Sequence, residues 1–256
     1  MRLSNNEIEN YRRDGYIVLK GLIESELLAT YDERFLRIVN GDVGLAPAMK
    51  IMQDVMVVKG AVEPESAAHA VNKLLCLEED EILCDFALNP QLVSAVQSLI
   101  GDEIYSVASN VFNKPPGVDG RHPMHQDLRY FKIEPASSIV GVWTAMMPAT
   151  RETGCLAILP KSHNLGLLPH GDLDWEYVNY GFYGINSELD LDKRVHIELD
   201  PGDTLLFDPL LVHGSGRNRG DVFRRAISVH YAASDCASTN AANGDWKTNP
   251  QTRRIV

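Results

Sequence analysis

Hydrophobic positions along the chain follow two different periods. In the first hundred residues they recur every three to four positions. "LSNNEIENYRRDGYIVLKGLI" opens with Ser4 at a helix N-cap and Glu7 three residues later in capping-box spacing, and Gly15 stops that helix before a short strand around Tyr16 to Leu19. Leu27, Leu28, Tyr31, Phe35, Leu36 and Val39 form one apolar face and predict a second helix from Glu24 to about Val39. A third is predicted over about Asn89 to Ile100, entered at Pro90 and ended by Gly101. From Ile104 the pattern shortens to blocks and alternations between Gly, Pro and Asp: "IYSVASNVFNK", "IVGVWTAMM", "GCLAILP", "RVHIEL", "DTLLFDP" and "RRAISVHYAA". The stretch from about His170 to Lys193 fits neither period and is expected to be a long functional insertion.

Helices followed by many short antiparallel strands predict a mainly β fold with flanking helices: a jelly-roll (double-stranded β-helix) core with an N-terminal helical buttress. A length of 256 residues suits one domain over 1–256, with a helical part over about 1–101, a core over about 102–235 and a short C-terminal tail. The formal net charge of -11 opposes a nucleic-acid partner, and no apolar stretch is long enough to span a membrane. Cys76, Cys84, Cys155 and Cys236 lack Cys-x-x-Cys spacing and follow no secretory leader, which predicts buried reduced thiols and, by default, a cytoplasmic protein. Arg2-Leu3 begins like a peroxisomal N-terminal signal, but Glu9-Asn10 stands where that signal needs a His/Gln-Leu pair, and "RRIV" is no peroxisomal tripeptide.

The chemistry concentrates in histidine. Residues i and i+2 of an extended chain share a face, so a His-x-carboxylate pair can meet one ion. Three such pairs occur: His125-Gln126-Asp127, His170-Gly171-Asp172 and His196-Ile197-Glu198. A two-histidine, one-carboxylate iron site needs its third ligand from a distant facing strand. His213, in "GDTLLFDPLLVHGSGRN", is far enough from His125 and Asp127 for several strands to intervene, whereas His196 to His213 leaves room for little more than one hairpin. Position therefore favours His125, Asp127 and His213 as metal ligands and catalytic centre, and leaves His230 as a pocket-lining or hydrogen-bonded histidine. A bidentate co-substrate held there needs a cation for its remote carboxylate, and a guanidinium suits it. Arg224 and Arg225 are both candidates, and only one of two adjacent strand residues can face the pocket. Arg224 shares its face with Ala226, Ser228 and His230, a smaller and more polar set that leans toward Arg224 without excluding Arg225.

The sequence resembles the phytanoyl-CoA dioxygenase family of iron(II)- and 2-oxoglutarate-dependent oxygenases. The likeness runs through "NKPP", "RHPMHQDLRYF", "WTAM", "GCLAILPKSH", "DWEYVN", "RVHIEL", "GDTLLFDPLLVHGSGRN" and "FRRAISVHYAASDC", in the family's order from about Asn110 to Cys236. It implies that His125, Asp127 and His213 bind Fe(II), and that Arg224 pairs with 2-oxoglutarate as co-substrate. Ser215, Trp143 and Lys73 would contact the co-substrate too; their ordinary readings are a turn serine, a core tryptophan and a surface lysine on a helix. Asn110 falls at a further co-substrate position, where the related sequence carries methionine. Dioxygen is the implied oxidant, with ascorbate in support, and a retained Asp127 points to hydroxylation rather than halogenation. The implied substrate is a small molecule, foremost a fatty or branched acyl-CoA hydroxylated at carbon 2, the alternative being a free small molecule or natural product. Gln126 is expected to point away from the metal and line the substrate channel, and Trp175, Tyr180, Phe182 and Tyr183 of "DWEYVNYGFYGI" are further substrate candidates. A rival of another class is a non-catalytic metal- or ligand-binding jelly roll.

Overall fold

The computed structural model describes residues 2–240, 242 and 244–256. Its helices begin and end where local chemistry requires. Ser4 accepts from the Glu7 amide while the Glu7 carboxylate accepts from the Ser4 amide, and the helix Asn5–Asp14 closes at Gly15 in the left-handed region (φ 84°). A Cβ there would lie 2.5 Å from His163 Nδ1, so both the turn and the close approach require glycine. The helix Ser25–Val39 starts after Glu24, and Pro90–Ile100 is capped by the Asn89 side chain.

Antiparallel strands form two main packed sheets and two short two-stranded ribbons, His170–Gly171 with Gly184–Ile185 and Ile133–Glu134 with Ala237–Ser238. The larger, of eight strands, runs Tyr16–Leu19, Thr204–Phe207, Ile139–Ala145, Arg224–Ala233, Ile104–Lys114, Val71–Leu75, Lys50–Gln53, with Arg253–Arg254 also paired to Ile104–Lys114. The smaller runs Val195–Ile197, Leu156–Ile158, His213–Ser215, His122–His125. The first 101 residues thus contribute three strands as well as helices.

Period-2 geometry decides what each face of the large sheet does. All ten residues of Arg224–Ala233 are buried. Ile227, Val229 and Tyr231 project outward into one core with Tyr31, Phe35, Leu92 and Val96 of the helices. Ala226 projects inward and packs with Trp143, Leu205 and Phe207 against Leu156, Ile158 and Ile197 of the small sheet. Both faces are covered, which is why even the polar Arg224, Arg225, Ser228 and His230 of this strand are buried. All four cysteines are free and buried, and no helix among the described residues is long and apolar enough to cross a membrane.

Candidate active site

The inner face of the large sheet is organised in cross-strand rows. Arg224 pairs with Lys114; Ala226 lies between Phe112 and Ala145; Ser228 between Asn110 and Trp143; His230 between Ala108 and Gly141, with Phe207 beyond. Lys73 extends the Phe112 row from the Val71–Leu75 strand, so the surface-helix reading of this lysine is incorrect. These rows floor a cavity of about 300 Å³ whose opposite wall includes His122, His125, His213 and Ser215 of the small sheet.

His125 and His213 are cross-strand partners, which brings their rings to 4.2 Å between centroids. Asp127 follows at the start of the 3-10 turn Asp127–Tyr130, pinned by Leu128 N–H donating to Pro209 O at 2.9 Å. Among the described residues these three are the only group of His, Cys, Asp or Glu able to converge on one ion, their ligand atoms all lying within 4.8 Å of one another. Each imidazole has its Nδ1 against a carbonyl two residues back, Pro123 O at 2.7 Å for His125 and Leu211 O at 2.9 Å for His213. A carbonyl only accepts, so Nδ1 carries the proton and Nε2 presents a lone pair to the cavity. Burial and the neighbouring His125 push His213 down to about 4, leaving it neutral at ordinary pH. Burial alone would raise Asp127, but the imidazoles packed around it, His213 and His230 foremost, outweigh it and hold the carboxyl well below its usual range. Two imidazoles and one carboxylate on one side of an ion are the donor set that suits iron(II) with open positions opposite.

His230 is the fourth histidine of the centre. Its Nε2 donates to Asp127 Oδ2 at 2.8 Å, fixing the carboxylate from the floor. Phe207 packs edge-on against both His213 (5.0 Å) and His230 (5.7 Å), and Gly141 makes this possible, since a Cβ there would sit 2.5 Å from the Phe207 ring.

At the far end, Arg224 is 2% exposed and has one hydrogen bond, from Nη2 to Gly154 O at 3.2 Å; its Nε and Nη1 are buried without partners, as is Ser228 Oγ. Buried guanidinium donors are rarely left unmet, so this constellation is suited to an anionic ligand. The Arg224 guanidinium lies 5.4 Å above the Trp143 ring, and burial brings its pKa down to about 10. Arg225 points to the other face, where it pairs with Asp32, donates to Asn113 Oδ1 at 2.9 Å and covers Phe35. Lys73 reaches over Phe112 (4.4 Å) and Phe182 (5.0 Å), its pKa lowered by burial to about 8 against the pull of Asp127.

The remaining candidates divide. Asn110, Trp143, Ser215, Tyr180 and Phe182 line the cavity; Phe182 stacks on His122 at 3.9 Å, and Tyr180, 89% exposed, stands at the mouth. Gln126 does not line it. Fully buried, it donates to Gly166 O and Leu210 O and accepts from Leu168 N–H, tying three backbone segments behind the metal ligands. Trp175 and Tyr183 lie outside the cavity lining, under Arg121 (4.3 Å) and Arg129 (5.2 Å). These contacts, with Lys59 over Tyr177, attach the irregular segment to the body. The other His-x-carboxylate pairs are committed elsewhere: both His170 nitrogens bond the chain, to Gln126 N–H and Leu168 O, and Glu198 accepts from Arg151 N–H. Sequence reasoning did not single out His122 or Lys114. Lys114 was detectable by parity with Asn110 and Phe112; His122, in a four-residue strand, left no periodic signal.

Comparison with known proteins agrees with this geometry. The family model described as phytanoyl-CoA dioxygenase matches residues 11–226. A probable phytanoyl-CoA dioxygenase of Caenorhabditis elegans is 37% identical over 254 residues, covering 96% of this chain and 81% of that protein. The peroxisomal phytanoyl-CoA dioxygenase of Rattus norvegicus is 38% identical over 238 residues, covering 91% and 70%. In fold, the chain is similar to the non-heme alpha-ketoglutarate-dependent epimerase SnoN of nogalamycin biosynthesis (TM-score 0.68, 17% identity, 93% of this chain and 86% of that one). It is also similar to EctD from S. alaskensis (TM-score 0.66, 19% identity, 90% and 77%).

Proposed function

This chain belongs to the phytanoyl-CoA dioxygenase family and is a 2-oxoglutarate-dependent dioxygenase, and from that premise we propose that it hydroxylates a fatty or branched acyl-CoA at carbon 2. The observation that carries the reading is the pairing, in one cavity, of the His125–Asp127–His213 cluster with a buried Arg224 that has two unmet donors. Iron(II) and the keto acid, when bound, supply the activation of dioxygen and the oxidation of an unactivated C–H bond.

The protein's residues hold and orient. His125 and His213, each with Nδ1 on a carbonyl, present Nε2, and Asp127, kept ionised and steadied by His230, completes the ligand set. Arg224 takes the remote carboxylate of the co-substrate, with Ser215, Trp143 and Lys73 around it. Met52, Leu75, Phe131 and Phe182 give the cavity an apolar wall suited to an alkyl chain, and Phe182 with Tyr180 covers the opening and limits entry of water.

The test is oxygen-dependent formation of succinate from 2-oxoglutarate by the iron-loaded protein, with a panel of straight and branched acyl-CoA thioesters and the matching free acids. Succinate in step with a 2-hydroxyacyl-CoA is the expected result. Product from a free metabolite alone would overturn the thioester reading. Metal binding without any effect of 2-oxoglutarate would identify a binding module instead. Asp127→Ala should abolish turnover; full activity in that variant would remove Asp127 from the ligand set.

A further inference from the structure

Lys114 ends the strand Ile104–Lys114 directly across from Arg224, and both side chains reach the same end of the cavity. The ammonium donates to Ser215 Oγ at 2.7 Å and to Gly216 O. Lys114 is 5% exposed and Arg224 2%. Two cations therefore lie buried side by side, and among the described residues no carboxylate pairs with either.

The carboxylates whose charge Lys114 feels are engaged elsewhere. Asp119 is held by Arg121 at 2.6 Å and Arg217 at 3.5 Å, and Asp54 accepts from Met56 N–H and Asn179 Nδ2. Cys155 offers no compensation, because burial pushes its thiol up to about 11. Burial and the Arg224 guanidinium together hold Lys114 well below the ordinary lysine range. An isolated buried cation is costly, and a second beside it adds repulsion, so the arrangement is suited to a ligand bringing negative charge between them.

We infer that Lys114 is a second cationic anchor for the remote carboxylate of 2-oxoglutarate, binding one oxygen while Arg224 binds the other, with Ser215 Oγ between them. The inference rests on the co-substrate reading above. A clamp of this kind selects a dicarboxylate over a keto acid lacking the second carboxylate, because only the dicarboxylate brings a negative charge between the two cations.

The experiment titrates Mn(II)-loaded protein by calorimetry with 2-oxoglutarate and with pyruvate, which keeps the keto acid and lacks the remote carboxylate. It compares wild type with Lys114→Met, which keeps the length without the charge, and Lys114→Gln, which keeps a donor toward Ser215. Expected is a loss of about tenfold or more in 2-oxoglutarate affinity in both variants. Pyruvate affinity should stay within about twofold, and the ligand-free melting temperature should be unchanged or higher. If either folded variant binds 2-oxoglutarate as tightly as wild type, or if both ligands weaken together with a lowered melting temperature, Lys114 is only a structural tie between strands. Wild-type protein that fails to bind 2-oxoglutarate at all would overturn this inference together with the reading on which it rests.

Discussion

Two adjacent arginines show how far one side chain's environment sets its role. Arg224→Ala should weaken 2-oxoglutarate binding by about tenfold to several-thousandfold, since losing charge-assisted contacts to a buried carboxylate costs on the order of 2–5 kcal/mol. Calorimetry with Mn(II) in place of iron reads this directly, and metal affinity should hold because the three ligands remain. Arg225→Ala should leave co-substrate affinity nearly intact and instead lower stability by about 2–3 kcal/mol, seen as a shifted urea midpoint, because Asp32 and Asn113 lose their partner. The reverse pattern would mean that the strand register is off by one. Their division was only partly legible in the sequence. Alternation separates the two residues but does not say which face holds the cavity, and the partners of Arg225 lie 193 and 112 residues away.

At the scale of the element, Gly141 and Phe207 are neighbours on paired strands, and the missing side chain of one makes room for the ring of the other. Gly141→Ala should displace Phe207 from its edge-on seat against His213, costing about 1–3 kcal/mol and weakening Mn(II) binding. An unchanged urea midpoint and metal affinity would show that the ring can move without consequence. Elements with a dense local signal were legible: the Ser4–Glu7 capping box, the Gly15 and Gly101 stops, the Asn89–Pro90 start and the long central strands all lie where the sequence puts them. The strands Lys50–Gln53, Val71–Leu75, His122–His125 and His213–Ser215 were not singled out. They span three to five residues with polar residues or histidine among them, and cross-strand pairing rather than propensity holds them, whereas the equally short Leu156–Ile158 and Thr204–Phe207 were marked by apolar runs. Gln126 escaped for a related reason, since its direction away from the metal follows from strand alternation but its three backbone partners depend on how distant loops close behind it.

For the whole molecule, stability against pH should reflect two buried groups with opposite signs. His213 has a folded pKa of about 4 against 6.5 ordinarily, so its contribution is present above 6.5 and lost as pH falls through about 4 in metal-free protein. Glu78, buried beside Leu83, Phe86 and Ser106 with neither carboxylate oxygen hydrogen-bonded, is raised by burial from 4.5 to about 7. Its contribution is present below 4.5 and lost as pH rises through about 7. The two slopes oppose one another between 4.5 and 6.5 and should nearly cancel there. Glu78→Gln should therefore raise stability at pH 8 by about 2–3 kcal/mol and uncover the acid-side loss, which urea midpoints across pH 4 to 8 would measure. A variant no more stable than wild type at pH 8 would mean that the Glu78 carboxylate finds compensation when ionised.

Both histidine ligands of the cluster are held by carbonyls two residues back in the chain, rather than by remote acids. Departure of the ion therefore leaves neither ring free to turn, and its return needs no search among orientations. Exchange of metal should be timed by passage through the mouth beside Tyr180 and Phe182, so enlarging that opening would speed loading and loss alike while leaving their ratio, the affinity, where it was.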